Sequence, residues 1–110
     1  GEPIRRTIRV IKDAMCGFAN VSNNDMISDR RSMDVVKPRQ IGMILSKLLT
    51  TLSLPCIGRE FGGRDHTTVL HAVRKLKPVE TFLWKELKPE TPLHLWVSTA
   101  FDGWSAAGLK

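Results

Sequence analysis

Between Ser53 and Leu76 the chain places two helix-start signals on either side of a paired glycine. Ser53 is a natural N-cap, and Leu54, Ile57 and Phe61 follow at the spacing of one helix face. Pro55 is tolerated there because the first turn has no intrahelical partner for its missing N–H. Gly62-Gly63 stops this helix. Asp65 then caps another, whose buried stripe is Val69, Leu70, Val73 and Leu76, ending before Pro78. A short helix, a glycine turn and a second capped helix predict a helix-turn-helix.

The flanking sequence extends the same helical pattern. Ile4, Ile8, Ile11 and Met15 form an amphipathic stripe that Gly17 can end. Ser22 with Asp25 resembles a capping box and predicts a short turn carrying Met26 and Ile27. The charged run from Asp29 to Asp34 lacks apolar period and reads as an exposed loop. Pro38 suits a first turn, so a third helix is expected from about Pro38 to about Thr51, burying Ile41, Ile44, Leu45, Leu48 and Leu52. After Pro78, Val79, Phe82, Leu83 and Leu87 suggest another helix. Lys88-Pro89-Glu90-Thr91-Pro92 breaks it, and Leu93 to Phe101 is a further apolar stretch. Trp84, Trp96 and Trp104 all lie in this tail. The expected architecture is all-α, with five or six helices around one core, as 110 residues allow. Residues 1–77 are expected to form the functional domain, with 78–110 a hydrophobic extension packed on it, its aromatic residues capping the bundle.

Charge is distributed unevenly. Residues 28–77 carry ten Lys/Arg against four Asp/Glu, an excess equal to the net +6 of the whole chain, while the tail sums to −1. A localised basic surface favours a polyanion, nucleic acid before membrane. No apolar run approaches the roughly 18 residues of a membrane span, and the first residues lack a secretory signal's apolar stretch, which points to the cytoplasm. Cys16 and Cys56, far apart in sequence, fit reduced core thiols, and with His94 they are too scattered for a metal site. With no phosphate-binding glycine loop, neither nucleotide nor other cofactor is expected. Adjacent helical residues point apart, so Asp65 and His66 are not expected to form an acid–base pair, and no catalytic residue is assigned.

The run Gly62-Gly63-Arg64-Asp65-His66-Thr67-Thr68-Val69 concentrates short polar side chains in the first turn of an otherwise apolar helix. In a helix-turn-helix these are the positions that face base edges in the major groove. Asp65 can accept from a cytosine or adenine amino group, His66 can donate to an acceptor, and the methyls of Thr67 and Thr68 can pack on a thymine methyl.

The stretch from Lys37 to Leu76, and above all GGRDHTTVLHA from Gly62 to Ala72, resembles the C-terminal DNA-binding domain of the bacterial replication initiator DnaA. The likeness continues more weakly back to Ile4 and stops near Pro78. It implies a Trp-repressor-like helical domain that binds double-stranded DNA at DnaA-box sites, in replication initiation or its regulation. By position it implies that Asp65, His66, Thr67 and Thr68 read the major groove and Arg31 the minor groove. Lys37, Arg39, Lys47, Thr50, Ser53, Leu54 (through its N–H) and Arg64 would face phosphates, and Arg30, near the helix-turn-helix, is a further candidate phosphate contact on its charge. Two departures stand out. Asp29, Met33 and Asp34 interrupt a loop that is Lys/Arg-rich in the family, and Cys56 replaces a Glu that would complete a capping box with Ser53. The alternative expectation is a transcription regulator with altered recognition, or an interaction module that binds a protein partner or a second copy through the tryptophan tail.

Overall fold

The computed structural model describes residues 7–109, which form seven helices and no strand. They are α1 (Ile8–Ala19), α2 (Asn23–Ile27), α3 (Met33–Leu49), α4 (Leu54–Glu60), α5 (His66–Lys75), α6 (Lys77–Glu86) and α7 (Leu93–Ala106). The all-α class is as expected. The helix count exceeds five or six because the last apolar stretch is a full helix of 14 residues.

Local signals set most boundaries. The Ser22 hydroxyl accepts from the Asp25 N–H at 3.0 Å while the Asp25 carboxylate accepts from the Ser22 N–H at 3.4 Å, a reciprocal box at the start of α2. Ser53 accepts from the Cys56 N–H at 3.3 Å and Asp65 from the Thr67 N–H at 3.4 Å. Two expected boundaries move. Helix α1 runs through Gly17 and ends at Asn20, which adopts the left-handed conformation (φ 57°) that an asparagine tolerates. Ile4 lies outside the described residues. Helix α3 starts at Met33, five residues before Pro38, so Met33 and Asp34 belong to its first turn and not to the loop. Burial of Val35 draws this turn onto the protein, and Asp34 suits the positive end of the helix dipole. Pro38 consequently lies inside α3, where it forgoes one backbone hydrogen bond.

Helix α3 is the axis of the bundle: every residue from Ile41 to Ser46 is buried. Gly42 leaves room for the Phe61 ring, which would stand 2.9 Å from any Cβ there, so the end of α4 packs directly on α3. Helices α1, α2, α5 and α7 close around α3, and α6 pairs with α7. One core joins Ile11, Met15, Ile41, Ile44, Ile57, Phe61 and Val69 to Val79, Leu83, Trp96 and Trp104 of the last two helices. Trp84, an aromatic residue expected to cap the bundle, remains 45% exposed, although its ring meets Trp96 edge-on at 5.2 Å, and Leu95 is 42% exposed.

Candidate nucleic-acid interface

The turn between α4 and α5 depends on close approaches of backbone at two glycines. A Cβ at Gly58 would meet the Arg64 carbonyl oxygen at 2.1 Å, and the Gly58 carbonyl accepts from the Arg64 N–H at 2.8 Å. A Cβ at Gly62, whose φ is 95°, would meet the Ile27 carbonyl oxygen at 2.3 Å. Gly63 also has positive φ, at 70°. The turn is thus folded against α4 on one side and the end of α2 on the other. Gly58 was not singled out by sequence reasoning. Its signal was an otherwise costly glycine within a predicted helix, which usually marks a packing constraint.

Two arginines hold the loop between α2 and α3, Arg39 to α3 and Arg64 to this turn. Arg39 donates through Nε to the Met26 carbonyl (3.0 Å), through Nη1 to that of Arg30 (3.0 Å) and through Nη2 to those of Asp25 (3.2 Å) and Ser28 (3.0 Å). Arg64 donates through Nη2 to the Ser28 carbonyl at 2.6 Å and through Nη1 to that of Phe61. The Ser28 carbonyl therefore accepts from both guanidinium groups. Burial and the neighbouring Arg64 charge lower the Arg39 pKa from its usual value, while Asp29 raises it. Asp29 is in this respect a countercharge for the arginine pair.

An open depression of about 550 Å³ lies between loop and turn, lined by Asp29, Arg31, Arg39, Gly62, Gly63, Arg64 and Thr68. Arg31 thereby shares a surface with the start of α5. Asp65, His66, Thr67 and Thr68 are all exposed there. Asp65 and His66 do touch, contrary to expectation: His66 Nδ1 lies 2.8 Å from Asp65 Oδ1. Asp65 is the N-cap, with extended backbone (ψ 151°), so the directions of two helical neighbours do not apply to it. The N–H and hydroxyl of Thr67 hold its carboxyl below the usual carboxylate range.

The residues expected at the phosphate-facing surface divide into two groups. Arg30 is exposed, though its Nη1 lies 3.1 Å from Asp25 Oδ1. Lys47 is exposed in the last turn of α3, and Thr50, Ser53 and Leu54 follow it along the connection to α4. The Thr50 hydroxyl caps α3, donating to the Ser46 carbonyl at 2.5 Å and accepting from the Leu52 N–H. Arg39 and Lys37 differ from expectation. Arg39 is only 6% exposed and its donors are on carbonyls, so it anchors the loop. Lys37, two residues away and therefore about 200° around α3, faces the other side. Its Nζ lies 5.3 Å from the Phe101 ring and 5.6 Å from the Trp104 ring. Lys75 approaches the same Trp104 ring at 4.9 Å, which places this cluster beside the C-terminal end of α5, remote from its first turn.

Over 91 residues, 80% of its length, this chain is 52% identical to the chromosomal replication initiator protein DnaA of Brucella abortus. Over 77 residues, 70% of this chain, it is 57% identical to the DnaA protein of Rhizobium meliloti. The chain spans less than a fifth of the length of these relatives, 18% and 16% respectively. Residues 8–76, comprising α1 to α5 and the loop docked on their turn, match the family described as the bacterial dnaA protein helix-turn-helix. The matched region is a helix-turn-helix and not a catalytic domain, and the chain belongs to the bacterial DnaA helix-turn-helix family.

Proposed function

We propose that this chain binds double-stranded DNA sequence-specifically, at sites of the DnaA-box type, and serves replication initiation or its regulation. The observation that carries the proposal is the first turn of α5, where four short polar residues stand exposed at the start of the second helix of a helix-turn-helix. In this arrangement Asp65, His66, Thr67 and Thr68 face the major groove and Arg31 reaches the minor groove. Arg30, Lys47, Thr50, Ser53, Arg64 and the Leu54 N–H lie along the phosphates. Lys37 is left out because it faces aromatic rings, and Arg39 acts by holding the loop. Residues 1–77 are the binding unit, and the described residues of the 78–110 extension pack on it away from the duplex.

Selection from random duplex DNA, followed by affinity measurements across salt concentrations, tests this. A single preferred motif is expected. Three cations along the phosphates, Arg30, Lys47 and Arg64, imply a slope of log K against log salt of about −2.7. No enriched motif, or a slope near zero, refutes the proposal. Exposed Trp84 and Leu95 favour a second reading, a protein partner on the tail. Sedimentation at rising concentration tests the simplest partner, a second copy.

A further inference from the structure

The Asp65–His66 contact determines which face of the imidazole is offered to DNA. A neutral imidazole has one N–H and one bare nitrogen, and the hydrogen bond at one nitrogen fixes the state of the other. The Asp65 carboxyl, ionised at neutral pH, can only accept. It already receives the Thr67 N–H on the same oxygen that lies 2.8 Å from His66 Nδ1. Nδ1 must therefore carry the proton, and when the ring is neutral Nε2 is left as an acceptor at its exposed tip.

We infer that Asp65 is a positioning residue that locks neutral His66 in its Nδ1–H form, so that His66 selects an amino group, adenine N6 or cytosine N4, at its base pair. This rests on the DNA-binding proposal and alters one part of it. Sequence chemistry alone lets His66 donate to guanine O6 or N7, and in the neutral ring the Asp65 contact removes that option. Asp65 Oδ1 is thereby engaged by Thr67 and His66, so this oxygen acts on specificity through the ring.

Two measurements on the full chain test the inference separately. The first needs no DNA: two-bond ¹H–¹⁵N correlation spectra at a pH where the ring is neutral report which nitrogen of His66 bears the proton. The expected result is Nδ1–H in the wild type and loss of that preference in Asp65→Ser, which still caps the helix but offers no carboxylate. An Nε2–H ring in the wild type overturns the inference.

The second measurement uses the duplex obtained by selection. Each adenine is replaced in turn by purine and each cytosine by 2-pyrimidinone, removing one amino group at a time, and guanines are replaced by 7-deazaguanine. One amino deletion should weaken wild-type binding roughly 5- to 150-fold, the range of a good base contact. It should have little effect on His66→Ala or Asp65→Ser. Coupling of His66 to a 7-deazaguanine position instead, or to no position, refutes the amino-group assignment. Failure to select any duplex refutes the parent DNA-binding proposal, whatever the spectra show.

Discussion

Gly17 and Gly58 both lie inside helices, and the same substitution should act on them in opposite directions. In α1, Gly17 is exposed, with nothing within 4 Å of the position a Cβ would take. Gly17→Ala then changes only helix propensity and unfolded-chain entropy, a gain of about 0.5–1 kcal/mol. At Gly58 the same gain is opposed by a Cβ 2.1 Å from the Arg64 carbonyl oxygen, where ordinary carbon–oxygen contact is roughly 3.3–3.6 Å. Backbone cannot swing aside as a flexible side chain can. The turn must shift by about 1 Å, straining the 2.8 Å Arg64 N–H bond to the Gly58 carbonyl and the Arg64 grip on Ser28. Overpacking of this kind costs about 1–3 kcal/mol, so the net effect should be a loss of about 0.5–2 kcal/mol. For a domain of this size each kcal/mol corresponds to roughly 4–8 °C in Tm. Thermal unfolding followed by circular dichroism should place Gly17→Ala above the wild type and Gly58→Ala below it. Sequence-specific DNA affinity should fall in Gly58→Ala alone, since its turn sets the angle of α5. Equal melting temperatures for Gly58→Ala and the wild type would falsify the close-approach account of the turn.

Lys47→Ala should weaken binding to all duplexes alike and reduce the salt slope by about 1, whereas Lys37→Ala, whose ammonium faces Phe101 and Trp104, should leave both unchanged; fluorescence anisotropy against salt distinguishes them. Trp104→Ala empties a 3% exposed site, removes the Nε1–H bond to the Leu109 carbonyl and deprives Lys37 and Lys75 of a ring, so urea denaturation should show a loss of about 3–5 kcal/mol. Asp25 and Asp65 have carboxyl pKa values lowered chiefly by backbone N–H groups, of Ser22 and Thr67 respectively. Their contribution to stability is full above the unfolded carboxylate pKa and disappears as pH falls through the folded values. The urea midpoint should therefore decline below about pH 4, less steeply in Asp25→Asn; an equally steep decline in that variant contradicts the capping-box assignment.

What the sequence by itself determined is what depends on neighbours along the chain. The Ser22, Ser53 and Asp65 caps, the Gly62-Gly63 turn and the apolar stripe of α4 are local chemistry, and each lies where its spacing predicts; in α5, Ala72 joins Val69 and Leu76 in the core in place of Leu70. Tertiary structure decided whatever depends on partners distant in sequence. Pro38 looked like the start of a helix, but burial of Val35 outweighs the hydrogen bond that the proline forgoes, so α3 begins at Met33. Arg39 and Lys37 were indistinguishable from surface cations until the fold supplied four carbonyl oxygens for one and two aromatic rings for the other. Gly17 and Gly58 differ for the same reason. A glycine's role is set by what its missing side chain would strike, here a carbonyl six residues away that only the folded turn brings to 2.1 Å.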